Sequence, residues 1–259
     1  MTRLFIALKI LCLTLAPLTQ ASELRLVSLT PAITETLQAL GLGEQIIGQD
    51  EASDLATPVV ANYQQVNIEA MIRLKPTHVI AWEDSLPTHL AARLADFDIP
   101  LLIHRTRTLN AWLNSSTEIA DALNVTDQPI QAWRAQLAEL GATYQDRPPV
   151  RAAWLFWDRP LMVSAGAGYL SELLALCGAT NVYGELDQVS ATIDPETLFR
   201  RQPDLFIADA AWIDALPMRA TLNGTSWQPP ADLLSRPGPR LLEGASQLCQ
   251  AVDFRRAQL

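Results

Sequence analysis

The sequence has 259 residues, of which 49% are hydrophobic and 18% are charged. It is therefore too apolar for a disordered chain and too long for a small domain held together by disulfides. The 19 basic and 28 acidic residues give a formal charge of −9. This acidic balance argues against a protein that binds nucleic-acid phosphates or anionic lipid, because both partners need a basic surface. Length alone allows one large domain or two small ones.

The first 21 residues have the pattern of a cleaved secretory signal peptide. Arg3 precedes an apolar stretch at residues 4–18, and the small residues Thr19 and Ala21 favour cleavage before Ser22. The stretch is short for a membrane span, so an N-terminal membrane anchor is the less favoured alternative. We therefore expect an exported protein whose mature chain begins at residue 22.

Two cysteines, Cys177 and Cys249, are left in that mature chain, because Cys12 lies in the predicted signal peptide. An even pair in an oxidising compartment is a candidate disulfide. Two buried free thiols are the alternative.

Strands and helices alternate along the first half of the mature chain. Helix starts are indicated by Thr30-Pro31 and by Asn67. The predicted elements are a strand at 24–29, a helix at 31–40, a strand at 46–47, a helix at 68–74, a strand at 78–82, a helix at 87–97 and a strand at 100–104. Strands separated by helices indicate parallel α/β units.

A long helix is predicted next, because Ile130, Trp133 and Leu137 recur at three- and four-residue steps until a pair of prolines ends the pattern. A strand at 152–157 then restarts the alternation. The predicted fold is α/β, with two Rossmann-like lobes joined by a single long α-helix: an N-terminal lobe at 22–125, the connecting helix at 126–147 and a C-terminal lobe at 148–259. A single sheet domain with this helix packed on it is the alternative.

Two segments that begin at Glu69 and Glu196 are similar, with Glu, Arg, Pro, Ile and Ala at matching positions. Each glutamate is at the second position of a helix, after the capping residue Asn67 or Asp194. A carboxylate there gains about 0.3–1 kcal/mol from the helix dipole, which is reason enough for either glutamate alone. Taken together, two equivalent acidic points suit a two-fold symmetric partner with basic ones.

Patterns for catalysis and metal binding are missing from the sequence. His78, His89 and His104 do not have the spacing of metal ligands. Ser164 lacks the preceding glycine of a hydrolase nucleophile, and the glycines at 166–168 do not complete a phosphate-binding loop. We expect no catalytic residue, no metal and no cofactor. A secreted hydrolase with catalytic residues scattered along the sequence is the alternative from another class.

Aromatic residues lie at or near the predicted strand ends. Trp82 and Trp157 end two strands, Trp212 follows a third, and Tyr63 lies in the loop before the helix that Asn67 caps. Any one of them alone is explained by ordinary packing. Together they predict a flat, partly apolar ligand between the lobes, because ligands of parallel α/β sheets bind beyond the carboxyl ends of the strands.

Five stretches resemble a known family: VSLTPAITE at 27–35, NIE at 67–69, LKPTHVIAW at 74–82, LCG at 176–178 and QLC at 247–249. The chain is similar to periplasmic ligand-binding proteins that have two α/β lobes joined by one long helix and serve importers for cobalamin, iron-siderophores or haem. Within that group it most resembles the cobalamin-binding members. The resemblance covers essentially the whole mature chain.

The resemblance implies roles for several residues. It implies that Glu69 and Glu196 dock on a permease, each meeting arginines of one permease subunit, and that Cys177 and Cys249 form a disulfide. It also implies a ligand cleft that contains Tyr63, Trp82, Trp157, Asp232 and Arg236. The chain departs from the family pattern at Ala52, where the family has a tyrosine, and at 187–191, where a tryptophan is missing.

We therefore expect a monomeric periplasmic receptor that captures cobalamin or a related corrinoid as a transported ligand. It would deliver this ligand to an ABC importer with a two-fold symmetric permease, without bound cofactor and without nucleic acid. Asp232 and Arg236 would hydrogen-bond to the corrin side-chain amides, and the aromatic faces would cover the ring. The alternative within the class is an iron-siderophore or haem receptor, although an anionic ligand needs several basic cleft residues and Arg236 is the one candidate in the sequence.

Overall fold

The computed structural model describes residues 23–62, 64–144, 146–216 and 225–259, so the predicted signal peptide lies outside the described residues. The first sheet consists of β1 (Leu26–Ser28), β2 (Ile46–Asp50), β3 (Val59–Ala61), β4 (His78–Trp82) and β5 (Leu101–His104). Its strands lie in the order β3-β2-β1-β4-β5, and every neighbouring pair is parallel.

The first sheet is covered on both faces, as parallel sheets usually are. Alternate residues of its central strands face opposite sides, so that Leu26 and Ile80 belong to one apolar cluster and Val27 and Val79 to another. The covering helices are α1 (Pro31–Ala39), α2 (Ile68–Arg73), α3 (Leu90–Ala95) and α4 (Leu109–Ala122).

Helix α5 (Gln128–Tyr144) lies between the strands of the first sheet and those of the second in the chain. It is shorter at both ends than the predicted helix. Helix α4 is present in the structure although it is not among the predicted elements. Trp112 of α4 stacks on Trp133 of α5, with ring centroids 5.5 Å apart. The lobe boundaries at 22–125 and 148–259 stay predictions.

The second sheet is mixed rather than purely parallel. Its strands are β6 (Val150–Asp158), β7 (Leu161–Ser164), β8 (Ala179–Asn181), β9 (Ser190–Thr192), β10 (Leu205–Ile207) and β11 (Thr225–Trp227). They lie in the order β11-β10-β6-β7-β9, with β8 also paired to β6. Because β7 is antiparallel to both β6 and β9, those two strands run in the same direction.

The helices that follow α5 are α6 (Tyr169–Leu176), α7 (Pro195–Arg201), α8 (Ala210–Asp214), α9 (Ala231–Leu234) and α10 (Leu241–Arg256). The α/β class predicted from the sequence is confirmed. None of the helices in the described ranges is both long enough and apolar enough to cross a membrane.

The candidate disulfide is present. Cys177, at the end of α6, is bonded to Cys249 of α10, and both residues are fully buried. The bond closes a loop across 72 positions of the sequence. It therefore fixes the C-terminal helix to the second lobe.

Replacing Cys177 and Cys249 together by alanine is expected to lower the free energy of unfolding by about 4 kcal/mol, because the open loop gains entropy mainly in the unfolded chain. Urea unfolding of the double variant and of the oxidised wild-type protein measures the difference. Equal unfolding midpoints would contradict this account. Reduced wild-type protein is the control, since it should approach the double variant.

Candidate ligand-binding cavity

A cavity of about 840 Å³ lies between the two lobes. The first lobe contributes the start of α1 together with Trp82 and His104, which end β4 and β5. The second lobe contributes the middle of β6, Ser164 at the end of β7 and Ala208 after β10. At β4, β5 and β10 the cavity is therefore at the carboxyl ends of parallel strands, where α/β proteins bind their ligands.

Aromatic side chains form part of the cavity wall. Five described aromatic side chains line it: Trp82, Trp154, Phe156, Tyr169 and Trp212. The predicted positions of Trp82 and Trp212 agree with this wall, whereas sequence reasoning missed the other three. The alternation of side chains along β6 could have identified two of these three, because residues 154 and 156 lie on the same face of the strand.

Two predicted ligand residues are not part of this wall. The side chain of Trp157 is 55% exposed, and its indole N–H donates to the carbonyl of Arg159 at 3.0 Å. It lies in the hairpin between β6 and β7, where the strand pairing shifts register. Asp232 pairs instead with Arg240, at 3.3 Å. Arg236 does line the cavity, and Tyr63 lies outside the described residues.

Each charged side chain in the described wall lies near an oppositely charged group or accepts a hydrogen bond within the protein. Arg107 is 3.8 Å from Asp84, and both line the cavity. Arg236 faces the carboxylate of Glu35 at 3.7 Å. The second acid of the wall, Asp209, accepts a hydrogen bond from the backbone N–H of Ala211 at 2.8 Å and so caps α8. The cavity consequently has no excess of positive charge for an anionic ligand.

His104 and Tyr169 each make one side-chain hydrogen-bond contact within the protein, and Nδ1 of His104 is buried without a partner. The His104 ring is 1% exposed, and its Nε2 lies 3.3 Å from the hydroxyl of Ser116. Burial lowers the pKa of His104 to about 4, so the ring is neutral at pH 7. The Tyr169 hydroxyl donates to the carbonyl of Leu234 at 2.9 Å, and burial raises its pKa.

The matching glutamates lie on exposed helix starts, one in each lobe. Asn67 accepts a hydrogen bond from the N–H of Ala70 at 3.0 Å, and Asp194 accepts one from the N–H of Thr197 at 2.8 Å. Glu69 and Glu196 therefore occupy the second helical positions of α2 and α7, as predicted. These helices follow β3 and β9, so each glutamate lies beyond the carboxyl end of an edge strand of its sheet.

Within the described parts of the chain, no group of three or more His, Cys, Asp or Glu side chains is placed to hold a metal ion. The cavity wall offers aromatic faces, a few polar groups and paired charges. Such a wall can enclose a ligand and orient it by hydrogen bonds.

The family description "periplasmic binding protein" matches residues 26–219. The chain belongs to this family. It is a substrate-binding protein and not an enzyme, so the alternative of a secreted hydrolase is wrong.

Two individual proteins are similar over nearly the whole chain. A protein of Pectobacterium carotovorum subsp. carotovorum named vitamin B12-binding protein is 30% identical over 247 residues, which cover 88% of each chain. The crystal structure of the periplasmic vitamin B12 binding protein BtuF of Vibrio cholerae has a TM-score of 0.77 at 27% identity, covering 90% of this chain and 97% of that one.

A third similarity concerns the fold alone. The periplasmic haem binding protein HutB of Vibrio cholerae has a TM-score of 0.72, covering 89% of this chain and 99% of that one, but it is only 21% identical. The same two-lobed architecture thus occurs in proteins named for different ligands. The ligand has to be argued from the cavity itself.

The buried ring of His104 predicts a loss of stability in acid. The unfolded chain takes up a proton near pH 6.5 and the folded protein near pH 4, so the stability present above pH 6.5 is lost as the pH falls between these values. The loss is about 3 kcal/mol for this one group. Denaturant unfolding at pH 7, 5.5 and 4.5 should show a smaller loss for His104→Gln than for the wild-type protein. Equal pH dependence of the two proteins would contradict the assignment.

Proposed function

We propose that this protein captures cobalamin or a related corrinoid in the periplasm and carries it, as a monomer, to an ABC importer. The observation that carries the proposal is the cavity of about 840 Å³, which combines aromatic faces with charges that are already paired. A corrin ring is large, flat and partly apolar, with amide groups around its rim, and such a wall suits it. The names of the Pectobacterium carotovorum relative and of BtuF support the same class of ligand.

The charge pairing disfavours an iron-siderophore complex. Anionic ligands are normally held by charge-assisted hydrogen bonds in a site of complementary, positive charge. In the described wall, each of the two arginines, Arg107 and Arg236, faces a carboxylate. Moving Arg107 to a ligand would take it away from Asp84, and moving Arg236 would leave Glu35 with Arg240 alone.

The positions of the two candidate iron ligands in the described wall also disfavour haem. Haem iron is usually held by a histidine, a tyrosine, a cysteine or a methionine. Of these types, the described wall contains His104 and Tyr169. The first is buried beneath the surface, and the hydroxyl of the second is bound to a backbone carbonyl.

Calorimetric titration of the purified mature chain with cyanocobalamin should give one-to-one binding at micromolar affinity or tighter, which corresponds to about −8 kcal/mol or better. Trp82→Ala and Trp212→Ala should each weaken binding by about tenfold or more, because each removes an aromatic face from the wall. Trp157→Ala is the matched control and should leave the affinity unchanged, since that indole lies outside the wall.

Absence of binding by the folded wild-type protein would overturn the ligand assignment. Titration with haem and with ferric siderophores would then decide between the remaining ligands. A loss of affinity in Trp157→Ala as large as that in Trp82→Ala would show that the wall extends to the β6–β7 hairpin when ligand is bound.

Glu69 and Glu196 are proposed to contact the importer. Both are exposed, one on each lobe, so a partner that meets both needs two equivalent basic sites. The ion pair between Glu196 and Arg200 does not compete strongly with the proposed contact to the importer, because the two groups are 4.0 Å apart and solvent-exposed.

Reversing both charges, Glu69→Lys with Glu196→Lys, should abolish transport while leaving ligand affinity unchanged, because neither residue lines the cavity. Corrinoid-dependent growth or uptake measures transport, and calorimetry measures affinity. The control is the reversal of two exposed glutamates elsewhere, Glu44→Lys with Glu139→Lys, which should retain transport. Collapse of the affinity in the first variant would place the glutamates in the cleft and refute the docking role.

A further inference from the structure

A cluster of four charged side chains connects the two lobes beside the cavity. Glu35 of α1, in the first lobe, accepts hydrogen bonds from Nε and Nη2 of Arg240 at 3.1 and 2.8 Å. Arg236 reaches the same carboxylate at 3.7 Å, and Arg240 also contacts Asp232 at 3.3 Å. Two acids and two bases thus balance one another across the lobes.

The cluster is held tightly against α1. A Cβ atom added to Gly238 would lie 3.2 Å from Oε2 of Glu35 and 3.6 Å from Cα of Ala32. The backbone between Arg236 and Arg240 therefore lies so close to α1 that a side chain at residue 238 would crowd Glu35. The side chain of Glu35 is only 20% exposed, so its ion pairs are screened less by solvent than ordinary surface pairs are.

A second contact between the lobes uses different groups. The backbone N–H of Tyr169 donates to the carbonyl of Arg107 at 2.8 Å, and Glu172 accepts from the backbone N–H of Leu109 at 2.6 Å. These bonds connect the start of α6 to the segment before α4. Neither bond involves Glu35, so the two lobes keep this contact when the ion pairs of Glu35 are removed.

We propose that Glu35 is a positioning residue for ligand retention. It ties residues 232–240 of the second lobe to α1, sets the spacing of the lobes at this point and holds Arg236 in the cavity wall. Loss of the Glu35 carboxylate loosens the wall and lets the ligand leave faster. The ligand part of this inference rests on the proposed function, whereas the lobe spacing does not.

The test compares Glu35→Gln, Arg240→Gln and the double variant with the wild-type protein. The control is Glu118→Gln, which removes an ion pair with Arg105 that lies within the first lobe. Dissociation of cyanocobalamin is followed by stopped-flow tryptophan fluorescence. Lobe spacing is measured without ligand, by pulsed electron paramagnetic resonance between spin labels at Thr88→Cys and Asp187→Cys, two exposed positions in different lobes.

Each single variant is expected to release the ligand about tenfold faster, and the double variant no faster than either single one, because the two groups act as a pair. The distribution of lobe distances should broaden in all three variants and stay narrow in Glu118→Gln. Raising the salt concentration should broaden it in the wild-type protein too, which provides a test that needs no substitution.

Unchanged lobe distances in the variants, or release rates that multiply in the double variant, would overturn the proposal. Failure of the wild-type protein to bind any corrinoid would refute the proposed function instead. In that case the distance measurement still decides whether Glu35 holds the lobes.

Discussion

One continuous apolar core fixes how the two lobes face each other. A single cluster of buried side chains contains Leu26 and Ile33 of the first lobe, Trp133 of α5, and Trp154 and Leu205 of the second lobe. Because this core runs through α5 instead of ending at each sheet, a large rotation of one lobe would expose apolar surface at a cost of about 25 cal/mol per Å². The cavity is therefore largely formed before any ligand arrives, and little binding energy is lost in assembling it.

A preformed cavity between two rigid walls selects its ligand by shape and by the groups that are left unpaired. The aromatic faces supply contact area in fixed positions, so they favour a flat ligand. Arg107 and Arg236 lie 3.8 and 3.7 Å from the carboxylates of Asp84 and Glu35, which offset part of their positive charge.

Much of the fold was readable from the sequence because local signals agreed with the tertiary structure. The strand at 78–82 was predicted with its observed bounds, since it is a continuous apolar run between a proline and a polar loop. The caps Asn67 and Asp194 were also correct. Helix α4 was missed because serines interrupt its apolar face. In the structure, Ser116 is fully buried and its hydroxyl bonds back to the carbonyl of Trp112 at 2.8 Å.

The site was less predictable than the fold, since its decisive contacts join distant parts of the chain. Glu35 and Arg240 are 205 positions apart, and no local pattern connects them. Within β6, Trp154 and Trp157 are three positions apart and face opposite sides of the strand, and no local pattern shows which side meets the other lobe.

The same geometry connects the cavity with the exposed glutamates. Glu69 and Glu196 follow β3 and β9, which are edge strands of the two sheets, and each glutamate belongs to a different lobe. Any partner that binds both glutamates therefore senses the distance between the lobes. A contact that fixes this distance, as the cluster around Glu35 does, links the outer surface to the cavity wall through one carboxylate. If a partner binds both glutamates, ligand retention and partner recognition depend on the same spacing, and a rigid core keeps that spacing constant.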